Sequence, residues 1–270
     1  MRCRELFLSL FLMGMVSIFS PLLRAQVGVS VSPPRVYYTL DPAESGTQRI
    51  LVTNISKQHS MDLSITFGDW KYDDYGNNIM LPPDTLENSC VSWLSVVNGT
   101  YLTLAPGESK EIELTMTVPF GINASENVQT AMLYVTQMNP VDGVDAKGAA
   151  IKINVRQGIK VYRRGAIPEK KQLEIVEMSY NKENNSVGLG FKNNGNVWTN
   201  GLLSATLFNS STGKEMDLGK IDFYTMPSDY RKVIIHAAEP LEKGTYIATV
   251  ILDYGDDSVL EAAELEFSYE

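Results

Sequence analysis

Wherever this 270-residue chain carries an ordered apolar pattern, the pattern has a period of two, and no segment shows the 3.6-residue period of an amphipathic helix. Met61, Leu63, Ile65 and Phe67 oppose Asp62, Ser64 and Thr66, and Ile112, Leu114, Met116 and Val118 repeat the scheme. Val29 with Val31 and the run Ile50-Leu51-Val52 add further strand signals. A chain built only of alternating segments must bury one face of each against another sheet, so the expected class is all-β. Between the strands, Tyr75-Gly76-Asn77-Asn78, Ala105-Pro106-Gly107 and Pro140-Val141-Asp142-Gly143 read as turns or loops.

Seven or so short strands before residue 140 predict an antiparallel sandwich of immunoglobulin-like type. The polar, proline-bearing stretch Ala166-Ile167-Pro168-Glu169-Lys170-Lys171 marks a domain boundary. A second set of strands follows: Val187, Leu189, Phe191; Leu203, Ala205, Leu207; Val233, Ile235; Tyr246, Ala248, Val250, Leu252; and Leu265, Phe267. The expected architecture is two immunoglobulin-like sandwiches in tandem, residues 26–165 and 166–270.

One segment stands apart. Ala149-Ala150-Ile151-Lys152-Ile153-Asn154-Val155-Arg156 alternates and runs on through Gly158-Ile159-Lys160-Val161-Tyr162, which predicts a single long strand over 149–163. Ile151, Ile153 and Val155 fall in one row, spaced to line one side of an apolar groove. Natural sheets usually blunt an edge of that kind, so an intact one points to pairing with another chain.

The N-terminus reads as a secretory signal over residues 1–25: Arg2 and Arg4, an apolar run from Leu6 to Leu23, then Ala25. A membrane anchor is the competing reading of the same stretch. Cleavage would remove Arg2, Arg4, Arg24 and Glu5, leaving 20 Lys and Arg against 31 Asp and Glu, a net charge of −11. Nucleic acid is therefore not an expected partner. Cys3 would leave with the signal and Cys90 would stand alone, so no internal disulfide is expected.

Nothing points to an active site. His59 and His236 lack metal-ligand spacing, so no metal or other cofactor is expected. Cys90 has no base nearby and reads as a small core residue. The turn Asp69-Trp70-Lys71-Tyr72-Asp73-Asp74-Tyr75-Gly76 is partly like a calcium loop but lacks the closing glutamate, so a hairpin turn is preferred. Trp70, Trp93 and Trp198 could line a sugar site, although core packing explains single tryptophans better.

The segments Val31-Ser32-Pro33-Pro34-Arg35-Val36-Tyr37-Tyr38 and Ile159-Lys160-Val161-Tyr162-Arg163-Arg164 resemble two strands of the PapD-like periplasmic pilus chaperones. That resemblance implies two immunoglobulin-like domains in a boomerang, with the last strand of the first domain lent to a fimbrial subunit that lacks a strand of its own. It implies that Ile151, Ile153 and Val155 fill the subunit's groove and that Arg35 and Lys160 bind its C-terminal carboxylate. It further implies an interdomain ion pair among Glu126, Arg164 and Asp253, the last matched through Asp253-Tyr254-Gly255. The ending Arg163-Arg164-Gly165 departs from the family's usual Tyr-Arg-Pro.

The expected function is a non-enzymatic periplasmic chaperone whose partners are pilus or related surface subunits. An outer-membrane usher and a self-capping dimer are left open by the sequence. The rival reading is a cell-surface adhesion or scaffold protein with tandem immunoglobulin-like domains, because fold alone does not decide function.

Overall fold

In a computed structural model, residues 28–97, 99–122, 128–144, 147–255 and 260–270 are described. The proposed signal at 1–25 lies outside them. The first half contains β1 Val29–Ser32, β2 Arg35–Thr39, β3 Ser45–Asn54, β4 Met61–Tyr72, β5 Asn78–Leu81, β6 Leu94–Val96, β7 Tyr101–Leu104, β8 Ser109–Thr117, β9 Gln129–Gln137, β10 Val141–Val144, β11 Ala150–Ile153 and β12 Arg156–Arg164. The second half contains β13 Leu173–Asn181, β14 Ser186–Asn193, β15 Thr199–Asn209, β16 Glu215–Thr225, β17 Tyr230–His236, β18 Gly244–Asp253 and β19 Leu260–Tyr269. The only helical turn among the described residues is the 3₁₀ turn Val91–Trp93.

In the first half one sheet runs β1-β3-β8-β6, and the facing sheet runs β2-β12-β9-β4-β5 with β7 also paired to β4. The alternation on β4 and β8 is what fills the space between them: Met61, Leu63, Ile65, Ile112, Leu114 and Met116 are all buried in one core. In the second half, β13-β14-β17 packs on β16-β15-β18-β19 around Leu189, Phe191, Leu203, Leu207, Val250 and Leu252. The all-β class and the paired sandwiches are as expected from the period-two pattern.

Ser32-Pro33-Pro34 carries the chain across the first sandwich. β1 pairs antiparallel with β3 in one sheet, whereas β2 pairs parallel with β12 in the other. Neither proline can donate to a ladder, which suits the crossing between sheets.

The segment 149–163 is not one regular strand. It breaks at Asn154 and Val155, between β11 and β12. The cause lies opposite. Gln137 N still donates to the Val155 carbonyl (2.8 Å) while Met138 N continues the ladder to β4 by donating to the Asp62 carbonyl (2.7 Å), and the Asn139 side chain then takes over from the backbone, accepting from Asp62 N and donating to the Ser60 carbonyl. Pro140 has no N–H to give. Beyond this jog, Val141–Val144 is itself a strand rather than the expected turn, paired antiparallel with β11 from Val141↔Ile153 to Val144↔Ala150. The two-stranded ribbon β10-β11 thus extends past the sandwich.

Arg163 is the unexpected member of the first core. It is fully buried on the same face as Ile159 and Val161. Its Nε and Nη2 donate to the Leu40 carbonyl (3.0 and 2.7 Å) and its Nη1 to Gln129 Oε1 (2.7 Å). Oxygens of an amide and a peptide group, not an acid, hold this charge.

Candidate functional site: the cleft at β2 and β12

The parallel register of β12 on β2 sets Lys160 opposite Arg35, Tyr162 opposite Tyr37 and Arg164 opposite Thr39. Alternation then divides β12 cleanly. Ile159, Val161 and Arg163 enter the first core, while Lys160 and Tyr162 face the second half of the chain. Lys160 Nζ lies 3.9 Å from the centre of the Trp70 ring and 4.2 Å from that of Tyr72, and it donates to the Tyr72 hydroxyl at 2.9 Å. Burial, then the charges of Arg35 and Arg231, push the Lys160 ammonium down to about 8. Burial also pushes the Tyr72 and Tyr162 phenols up, so both remain O–H groups.

The opposing wall comes from the second half. Trp198 packs on Tyr37 and Tyr162 with ring centres 5.1 and 5.2 Å apart, and Tyr37 stacks on Tyr162 at 5.0 Å. The Arg35 guanidinium sits over Tyr224 of β16 at 4.9 Å. Arg231 of β17 lies over Tyr72 at 5.3 Å and donates from Nη1 to the Asp73 carbonyl at 2.9 Å. Its neighbour Lys232 donates from its backbone N to the Asp74 carbonyl at 2.6 Å. Gly76 has a φ of +87°, and a Cβ there would overlap the Arg231 guanidinium. The turn after β4 is therefore shaped to receive Arg231. Trp70, Val128, Met132, Tyr134, Tyr162 and Met226 form a buried cluster joining the two halves.

Between these walls is a cavity of about 130 Å³, lined by Arg35, Tyr37, Tyr72, Tyr162, Trp198 and Tyr224 and closed by Thr199, Asn200, Thr225 and Met226. Among the described residues, no acidic side chain lines it. Arg35 is the cation that lines this cavity, with Lys160 and Arg231 behind its Tyr72 wall and Asp229 beside Arg231, an arrangement that suits a single anionic group next to Arg35.

The sequence-derived groove row is split between two environments. Ile151 and Ile153 are 39% and 37% exposed on β11, whereas Val155 is half-buried against the first core. The described strands pair with Ala150–Ile159 on one side only, β10 and β9 covering one edge. β2 takes up the other edge only from Lys160 onward, beginning where the Pro34 carbonyl accepts from Lys160 N at 3.2 Å.

Arg164 and Asp253, two members of the expected ion pair, do not meet. Arg164 Nη2 binds Glu169 at 2.8 Å and its Nη1 reaches the Ile167 carbonyl at 3.2 Å. The Asp253 carboxylate accepts instead from Gly255 N at 3.1 Å, and Glu126 lies outside the described residues. Short-range partners satisfy both groups, and among the described residues no ion pair links them.

The other sequence candidates are placed as structural groups. Asp69 is fully buried and accepts from Thr85 N, Leu86 N and Ser89 Oγ, so it braces a loop. Asp73 caps its own turn through Tyr75 N and Asn77 N, which makes this stretch the hairpin turn it was expected to be. Cys90 lies in the first core, where burial pushes its thiol up. Trp93 packs on that core and is not brought to Trp70 and Trp198, so the three tryptophans do not form one surface. Tyr37, Tyr72 and Tyr162 entered the sequence reading only as members of quoted segments, and Tyr224 and Arg231 not at all, because no local spacing marks them.

No protein-family model and no curated protein matches the sequence. Among solved structures, the chain is similar to the chaperone DraB of E. coli (19% identity, 88% of this chain and 98% of that one, TM-score 0.46). It is similar to SafB of Salmonella enterica, solved in complex with the SafA pilin (14%, 89% and 97%, 0.46), and to the chaperone CupB2 of Pseudomonas aeruginosa (15%, 89% and 100%, 0.43). The structural neighbours of this two-sandwich fold include PapD-like fimbrial periplasmic chaperones and a protein of unknown function from Porphyromonas gingivalis.

Proposed function

We propose that the chain is a non-enzymatic, periplasmic chaperone of fimbrial or related surface subunits, with residues 26–165 as the lending unit and 166–270 as the unit that closes the cleft. A subunit missing a strand exposes an apolar slot that would otherwise aggregate. Residues 149–157 complete it: the backbone edge supplies the ladder, and Ile151 and Ile153, with Val155 at the root, supply the side chains. Each well-buried branched side chain contributes about 1.5–3 kcal/mol before ordering costs.

The observation that carries this reading is where the uncovered edge stops. Among the described strands, the edge open over Ala150–Ile159 ends at the register pair Arg35 and Lys160, beside the cavity that Arg35 lines. A strand added along it would deliver its terminal carboxylate there. A guanidinium grips both oxygens and the ammonium adds a second charge, which fixes register, since a slip of one residue would turn the apolar row outward.

The test is co-purification from the exported fraction. Arg35→Ala, Lys160→Ala and Ile153→Asp should each abolish recovery of a bound subunit while leaving the circular dichroism spectrum unchanged. Wild-type recovery of subunit with all three variants would refute strand lending through this edge.

A further inference from the structure

We infer that the cleft also reads the side chain of the client's last residue, through the aromatic cavity beside Arg35, and that it selects a C-terminal residue with an apolar side chain of leucine or phenylalanine size. This rests on the anchor reading and goes beyond it. An anchor alone needs only a carboxylate, and any terminal residue supplies one.

The cavity is built for more than a charge. Its walls are the rings of Tyr37, Tyr162, Trp198 and Tyr224, and its volume of about 130 Å³ is close to the roughly 150 Å³ of an apolar protein cavity that admits benzene. Tyr37 and Tyr224 remain 44% and 39% exposed although Tyr37 stacks on Tyr162, so aromatic surface is left open beside Arg35. Two of the walls come from the second half of the chain, Trp198 just before β15 and Tyr224 within β16. Arg35 lines the same space and stands over Tyr224, which places a carboxylate binder and an aromatic-walled cavity within one residue's reach of each other. A terminal residue carries that pair of groups on a single Cα. The occupant is thus the C-terminal residue of an extended peptide.

The purified full chain would be titrated with N-acetylated peptides of one alternating valine-serine sequence ending in Phe, Leu or Gly, each as free acid and as amide, with Trp198 fluorescence and calorimetry as readouts. The free acids ending in Phe or Leu should bind roughly ten- to hundredfold more tightly than the Gly acid, the range that burying such a side chain supports. Trp198→Ala should bring the three acids to within a few-fold of one another. Asn200→Trp, a change at an exposed rim position that fills the cavity, should do the same without touching a buried group. Equal binding of the three acids by the wild type, with acids still preferred over amides, would overturn the side-chain site and leave the anchor standing. Equal binding of acids and amides would remove the anchor and this inference together. Retained Phe selectivity in both variants would also overturn it.

Discussion

Under the proposed anchoring, the state of Lys160 makes client capture pH-dependent in a calculable way. Its ammonium is held at about 8 in the free cleft, mainly by burial and then by Arg35 and Arg231. A carboxylate arriving opposite it favours the charged form and returns the group toward the ordinary lysine value of 10.5. Binding above pH 8 must then take up a proton. For a free-state value of 8 and a bound value well above 9, linkage makes affinity fall about tenfold between pH 7 and pH 9, equivalent to about 1.4 kcal/mol. Free-protein stability should move the other way. The unfolded lysine binds more protons than the folded one between about 8 and 10.5, so stability rises with pH across that window.

Calorimetry of an N-acetylated peptide acid in two buffers of different ionisation enthalpy would count the protons directly, with about half a proton taken up per peptide at pH 8. The facing groups do not confuse the reading: Arg35 and Arg231 stay charged, and Tyr72 and Tyr162 are raised away from this range. Lys160→Gln should flatten the profile. Wild-type affinity that is constant from pH 7 to pH 9, with no proton uptake, would refute the argument.

Three further outcomes follow from the packing. Arg163→Ala strands the Leu40 carbonyl and opens a void in the first core, so urea unfolding should show a loss of about 2–4 kcal/mol; a change under 0.5 kcal/mol would contradict the bonding described. Gly76→Val, at a positive φ and against the Arg231 guanidinium, should cost about 1–3 kcal/mol and shift Trp198 emission by loosening the second unit; an unchanged melting curve counts against the socket. The buried Cys90 thiol should ignore Ellman's reagent in the folded protein and react only at the rate of unfolding; prompt labelling would show the core is open.

Much of the fold was legible because alternation is a local signal. The rows Met61 to Ile65 and Ile112 to Met116 became the first core as read. The break at Asn154 and Val155 was not legible, since it lies opposite Asn139 and Pro140, where the partner strand loses its regular backbone bonding. The pairing of Arg35 with Lys160 emerged from a resemblance of short segments, and their parallel register gives it a geometric basis. Tyr72, Trp198, Tyr224 and Arg231 meet across more than 100 residues of sequence, where no spacing rule reaches. Arg164 and Asp253 were matched to one another by motif, but nearer partners, Glu169 and the Gly255 amide, satisfied each of them first.

The proline crossing at Pro33-Pro34 has one more consequence. It decides where β2 begins to cover β12, and therefore how much of that edge the protein leaves unpaired by its own described strands. Under the proposed reading, the host's opening segment acts as a buffer stop on a railway line. Transplanting that crossing one residue along would re-phase every contact upstream, even with Ile151, Ile153 and Val155 left as they are.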